Sequence, residues 1–303
     1  MQIIVDENND EIRLDLYLSE LYEGISRSKI QNSIKSGKVI VNGQEKKASY
    51  ILKENDKIEF ENLLPEELKI YPENIPLEII WEDENMAVVN KPSGMLTHPT
   101  PIETSGTLVN ALLYKYGQNL SDINGAFRRG IVHRLDRNTS GLLMIAKNNK
   151  THEYLANLIK NHEITKKYRA VLKGIYPKDE DIIEEPIARH KTQPHKMAVS
   201  PDGKPSKTIL KVLERFDEAT YVELTLVTGR THQIRVHTSY NKHPVYNDTL
   251  YGAGQGKVKT NEQVLQSFYL KFAKPNSDEI IELEIEPDEK LSKVLTYYQN
   301  RRA

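Results

Sequence analysis

The stretch Val132-His133-Arg134-Leu135-Asp136-Arg137-Asn138-Thr139-Ser140-Gly141 decides the reading of this chain. It sets one carboxylate, Asp136, between two cations at the edge of an apolar run, 141–147, that reads as a strand. Taken alone, such an aspartate is a surface ion pair or a turn cap. Three more stretches gather charged and polar residues around it in the chain. They are Asn90-Lys91-Pro92-Ser93-Gly94 with His98-Pro99, then Lys166-Lys167-Tyr168-Arg169-Ala170, then Thr228-Gly229-Arg230-Thr231-His232-Gln233-Ile234-Arg235-Val236-His237.

Hydrophobic spacing places these stretches on an α+β framework. Strands are predicted at 86–90, 141–147, 168–174, 221–227 and 280–285, and helices at 107–116, 151–161 and 231–239. In 221–227, Val222, Leu224 and Leu226 share one face while Glu223 and Thr225 take the other. The first 62 residues read as a separate small α+β domain. Leu14, Leu18 and Leu21 follow helical spacing, Gly24 breaks that helix, and Ser26 or Ser28 caps a second one carrying Ile30 and Ile34. Gly37 stops it. Val39–Val41 then enters a hairpin at Asn42-Gly43, and Lys57–Phe60 supplies another strand. Pro65 and Pro72, set among acids, mark 63–76 as a linker of moderate stiffness, followed by a second domain over 77–303.

The composition excludes several classes. A chain of 303 residues without cysteine has no disulfide scaffold, thiolate nucleophile, zinc knuckle or cysteine-ligated iron–sulfur cluster. No apolar run approaches the roughly 20 residues of a membrane helix, and the first residues carry no basic leader, so a soluble cytoplasmic protein is expected. Net charge is −1, but the cations are segregated. Six lie between Arg27 and Lys47 against Glu45 alone, and eleven lie between Arg128 and Lys173 against three acids. The segment 189–211 holds six more against Asp202 alone, and its proline-bearing part, 189–207, suits a loop that grips RNA. Such segregation gives either a positive face for a polyanion or ordinary solvated surfaces.

The order Arg13-Leu14-Asp15, Ser26-Arg27-Ser28-Lys29-Ile30-Gln31, Gly37-Lys38-Val39-Ile40-Val41-Asn42-Gly43 resembles the small RNA-binding module first described in ribosomal small-subunit protein four. That resemblance puts Arg27, Lys29, Lys35 and Lys38 on the RNA-facing side. The other reading is a small helical domain used for protein contacts. The run HRLDRNTSG is similar to the signature of the RluA-type pseudouridine synthases, and the other three stretches fall in that family's order over 77–290. With the appended module, the chain is most like the subgroup that modifies large-subunit ribosomal RNA.

The resemblance implies a mixed, largely antiparallel central sheet flanked by helices and loops. It also implies conversion of uridine to pseudouridine, in which the base is detached at nitrogen, turned and rejoined through carbon-5 without any cofactor. The family's aspartate maps onto Asp136, useful only when ionised. Arg230 corresponds to the arginine that pairs with it, since a close cation favours the charged form. Tyr168 corresponds to the tyrosine that stacks on the uracil. Arg134 and Arg137 are phosphate-contact candidates, and Ile234 is an apolar wall. A metal is not expected, because His133, His232 and His237 lack helical ligand spacing with a carboxylate. The run 252–257 fits neither phosphate-loop spacing and reads as a flexible loop.

Past His237 the sequence departs from the family pattern at Thr238, Lys242 and 245–247, while Asp248 and Tyr251-Gly252 keep it; Tyr269-Leu270 stands where His-Ala is common. These departures weaken any transfer of a particular target uridine. The partner is expected to be RNA, ribosomal first and transfer RNA second, with no membrane and a monomer as the default. The alternatives from other classes are a non-catalytic RNA-binding ribosome-assembly factor and, more remotely, a metal-dependent RNA hydrolase.

Overall fold

A computed structural model describes residues 2–5, 11–21, 27–60, 70–100, 103–193, 195–260, 262–275 and 277–301. The expected break at Gly24, the Ser26 cap, the linker before Ile70 and Pro194 lie outside the described residues. The chain divides into two compact units, before and after Ile70.

In the first unit, β1 (Gln2–Ile4), α1 (Leu14–Leu21), α2 (Arg27–Lys35), β2 (Val39–Val41), β3 (Gln44–Glu45) and β4 (Lys57–Phe60) follow one another. The four strands form one antiparallel sheet in the order β1-β4-β2-β3. Asn42 and Gly43 both take positive φ, 52° and 74°, as a two-residue hairpin between twisted strands requires. Leu14, Leu18, Ile30 and Ile34 pack with Val39, Val41 and Ile58 in this unit's own core, while Leu21 stays exposed.

The second unit begins with residues 70–77 as extended chain laid against its own body. Ile70 and Leu77 pack on the core, and Glu73 N–H donates to Asn110 O at 3.0 Å. Then come β5 (Glu78–Glu82), β6 (Met86–Lys91), α3 (Leu108–Tyr116), β7 (Ser140–Ala146), α4 (Asn149–Lys160), β8 (Thr165–Lys173) and β9 (Glu180–Ile183). After them follow β10 (Ile187–Arg189), β11 (Met197–Val199), β12 (Thr208–Arg215), β13 (Ala219–Leu226), α5 (Gln233–Tyr240), β14 (Leu265–Ala273), β15 (Ile280–Glu284) and α6 (Glu289–Gln299). Nine strands make one sheet in the order β5-β6-β7-β14-β8-β13-β12-β9, with β15 also on β14; β10 and β11 form a separate hairpin. Every pairing in the large sheet is antiparallel except β7 with β14. The fold is therefore the expected α+β, mixed and mostly antiparallel. Among the described residues no helix is long and apolar enough to cross a membrane.

The seam between β7 and β14 positions the decisive stretch. Gly141 pairs with Ser267, and Ser267 pairs with Tyr168 on the other side, so one row crosses three strands. At about 4.8 Å per strand, the end of the HRLDRNTSG loop stands about 10 Å from the Tyr168 backbone. Gly141 is needed there: its φ is +116°, and a Cβ would lie 2.0 Å from the Ser267 carbonyl oxygen. Leu135, Tyr168, Leu224, Ile234 and Leu265 belong to the main core.

Candidate active site

Asp136 sits on the loop that leads into β7, and that loop is held by its backbone. Thr97 Oγ1 donates to Leu135 O at 2.8 Å. Lys91, fully buried, donates to the carbonyls of Pro92, Met95 and Arg137 at 2.8, 2.8 and 3.0 Å. Lys290, from the first turn of α6, reaches Asn138 O at 2.9 Å and also bonds Ser93 Oγ and Gln263 O. Both ammonium groups have lowered pKa values, Lys91 to about 7, because burial disfavours the charge. The stretch Asn90–Gly94 is thus a cradle for the loop that bears Asp136.

The side chain of Asp136 points at α5. Arg235 Nη1 donates to its Oδ2 at 3.0 Å, and the same guanidinium holds Asp248 through Nε and Nη2 at 2.7 and 3.0 Å. Arg235 and Asp248 are buried, with 7% and 1% exposure. Burial opposes the guanidinium charge, but the two carboxylates more than offset it and raise the Arg235 pKa. His232 Nε2 stands 3.8 Å from Asp136 Oδ2.

The arginine on Asp136 is therefore Arg235, which corrects the expectation for Arg230. Arg230 precedes α5, where a turn tied by Gln233 aims it away, and its Nε donates to Pro205 O at 3.1 Å. Helix geometry explains the difference. From inside α5 a side chain projects toward the Asp136 loop, whereas the helix begins only after His232, whose φ of 57° turns the chain.

Tyr168 on β8 is 6% exposed and faces the same cavity as Asp136. Burial pushes its phenol up to about 12, with Ser267 opposing and Asp136 adding to the rise, so the hydroxyl keeps its proton at neutral pH. The cavity measures about 260 Å³ and is walled by Leu135, Ile234 and Leu265 besides the polar groups. That is room for a single nucleoside, with an apolar slot and a few convergent polar atoms. Lys166 also lines it, nearly buried, and its pKa is lowered by that burial.

The other expected positions divide. Arg134 is exposed on the cavity rim, and Ile234 forms its wall. Arg137 instead makes a two-pronged ion pair with Glu103 at 2.9 and 2.5 Å. In the first unit, Arg27, Lys29, Lys35 and Lys38 are all exposed, and Arg27 also pairs with Asp15 at 3.0 Å. Burial works against that carboxylate, yet bonds from Arg13, Gln31 and Arg27 hold it well below the usual range. Arg27 thus braces α2 against α1. His133 accepts from Met144 N–H at 3.0 Å, and burial lowers it to about 3, so it is a neutral backbone prop. His237 bonds Thr208 Oγ1 and Glu185 O, both at 2.9 Å. Among the described residues no three His, Asp or Glu side chains gather as metal ligands would.

Sequence reasoning missed Arg235, His232, Asp248 and Tyr251. The available signal was weak: Arg235 lies between Ile234 and Val236 inside a predicted helix, and Asp248 is an acid that keeps the family pattern downstream.

Comparison with known proteins places the chain in a family. A family model described as RNA pseudouridylate synthase matches residues 85–240, and an S4 domain model matches 12–58. An uncharacterized RNA pseudouridine synthase of Bacillus subtilis, YlyB, is 41% identical over 97% of each chain. The ribosomal large subunit pseudouridine synthase D of Haemophilus ducreyi is 37% identical over 89% of this chain and 86% of its own. The solved structure of human RNA pseudouridylate synthase domain containing 1 aligns with a TM-score of 0.57 at 27% identity, over 74% of this chain and 95% of that one. By these matches the chain belongs to the RluA/RluD-type pseudouridine synthases and is an RNA pseudouridine synthase with an S4 domain.

Proposed function

We propose that the substrate is large-subunit ribosomal RNA and that Asp136 is the group on which isomerisation turns. The observation that carries the site is the Asp136–Arg235 ion pair at 3.0 Å opening on the cavity that Tyr168 closes. The carboxylate attacks, or stabilises, the centre left when the bond from ribose to base nitrogen breaks. The base turns, a bond forms between the sugar and carbon-5, the proton leaves carbon-5, and the freed nitrogen takes one up. A paired base hides this chemistry, so the target uridine is swung out and its ring rests on Tyr168. Arg134 and Arg230 on the rim suit the flanking phosphates.

Two features support the ribosomal target: the S4 domain with exposed Lys29, Lys35 and Lys38, and relatives named as large-subunit synthases. The test is tritium release from RNA labelled at uracil carbon-5, run on ribosomal and transfer RNA with wild type and Asp136→Asn. Release from ribosomal RNA by wild type alone is expected. Release by a folded Asp136→Asn protein would remove Asp136 from the mechanism. Release from transfer RNA only would move the substrate there.

A further inference from the structure

His232 is a non-glycine residue held at φ 57°, ψ 18°, a conformation that costs free energy and persists where the surroundings enforce it. Its imidazole does not cap α5. Instead Nδ1 lies 2.8 Å from Tyr251 Oη, and Nε2 faces Asp136. Tyr251 Oη also accepts from Met197 N–H at 2.9 Å, on β11. Since that amide can only donate, the phenolic hydrogen is free for His232 Nδ1, its partner on the other side. A neutral imidazole that accepts at Nδ1 carries its proton on Nε2, toward Asp136 Oδ2. Burial keeps His232 neutral against the pull of Asp136 and Asp248, and Arg235 and Arg134 act with burial.

The face of Tyr251 is occupied too: the Arg235 guanidinium lies 4.9 Å from its ring centre. One loop, 248–251, thereby fixes both groups that address Asp136. Asp248 grips Arg235, Tyr251 orients His232, and Tyr251 N–H bonds Asp248 Oδ1 at 3.2 Å. Arg235 and His232 converge on the same oxygen, Oδ2.

We propose that His232 is a positioning residue for Asp136, set as a donor by Tyr251, and that the Met197 bond ties this donor to the β10–β11 hairpin. At 3.8 Å the donor is about 1 Å short of a hydrogen bond, the looseness that sites without substrate commonly have before they tighten. The hairpin borders the cavity rim at Arg230, so RNA seated along it bears on the latch at Met197. Docking of RNA then closes the last gap and locks the carboxylate. This inference rests on Asp136 being the reacting group.

The experiment is single-turnover isomerisation of ribosomal RNA, with RNA affinity measured beside it, for Tyr251→Phe, His232→Leu, His232→Gln and Asp136→Asn. Tyr251→Phe keeps the ring under Arg235 and loses only the hydroxyl. It and His232→Leu are expected to slow turnover by about ten-fold to 10²-fold with affinity within about two-fold. His232→Gln offers an amide donor in the place of Nε2–H and is expected to recover most of the rate. Wild-type turnover in either His232→Leu or Tyr251→Phe would overturn the proposal. So would a glutamine variant as slow as leucine, or an effect confined to affinity. An inactive Asp136→Asn beside unimpaired His232 and Tyr251 variants sinks only this inference, whereas an active one sinks the Asp136 reading as well.

Discussion

Arg235 serves two carboxylates that differ in what they need from it, and substitution can separate them. Arg235→Met removes a buried guanidinium and leaves Asp248, 1% exposed, with its charge uncompensated. Breaking such a pair from one side costs about 3–5 kcal/mol. For a domain of this size that is a fall of roughly 6–20 °C in the unfolding midpoint. Adding Asp248→Asn removes the orphan charge and is expected to restore most of that loss. It cannot restore Asp136, whose 3.0 Å partner is still absent, so turnover stays about 10²-fold down. Calorimetry and tritium release on the single and double variants read the two effects independently. Arg230→Met, which loses one bond to Pro205 O, is expected to move the midpoint by no more than about 1 kcal/mol equivalent. A stable, fully active Arg235→Met, or a double variant that regains turnover with stability, would refute the assignment.

Three other outcomes follow from single contacts. His133 titrates at about 3 when folded and near 6.5 when unfolded, so between those values the unfolded chain binds more protons and stability falls as pH is lowered. Urea unfolding from pH 7 to pH 4.5 is expected to show that slope, and His133→Asn to flatten it; an unchanged slope would place the acid sensitivity elsewhere. Gly141→Ala would push a methyl group into the Ser267 backbone, so β7 and β14 are expected to separate, with a midpoint drop of several degrees and loss of turnover together. Reversing Lys29, Lys35 and Lys38 to Glu is expected to weaken ribosomal RNA binding and flatten its salt dependence, measured by filter binding from 50 to 200 mM salt.

Much of the fold could be read from the sequence because its elements carry strong local signals. Alternation in β13 and the helical spacing of α1 and α2 are visible in a few residues, and Asn42-Gly43 specifies its own hairpin. The expected helix at 107–116 begins one residue later, with Thr107 as its cap. β1, β5, β9 to β12, β14 and α6 were missed. β14 has no clean alternation because it is covered on both faces, with most of Leu265–Leu270 buried, and buried strands lose the period of two. Within the site, Asp136, Tyr168 and Ile234 lay in the quoted stretches and do meet at one cavity. The choice between Arg230 and Arg235, by contrast, depends on where α5 starts. A positive φ at His232 settles that, and a histidine there advertises nothing of the kind.

The same comparison explains what the chain's departures from the family pattern leave intact. Residues 245–247 differ, yet Asp248 and Tyr251 persist, and those two hold Arg235 and His232 against Asp136. The backbone of the Asp136 loop is also held by Lys91, fully buried, and Lys290, half-buried, both donating to carbonyl oxygens. Charged groups are costly to bury and often add no more stability than apolar side chains of similar volume would. What they provide is direction: Lys91 and Lys290 fix the loop, and Arg235 fixes Asp136 through Oδ2. Under the role proposed for Asp136, its reacting oxygen is best fixed before the base arrives, so that no reorganisation is needed at the moment of reaction. On the proposed reading, target choice is a separate matter of surface, carried by the exposed lysines of the S4 domain and by Arg134 and Arg230 at the cavity rim.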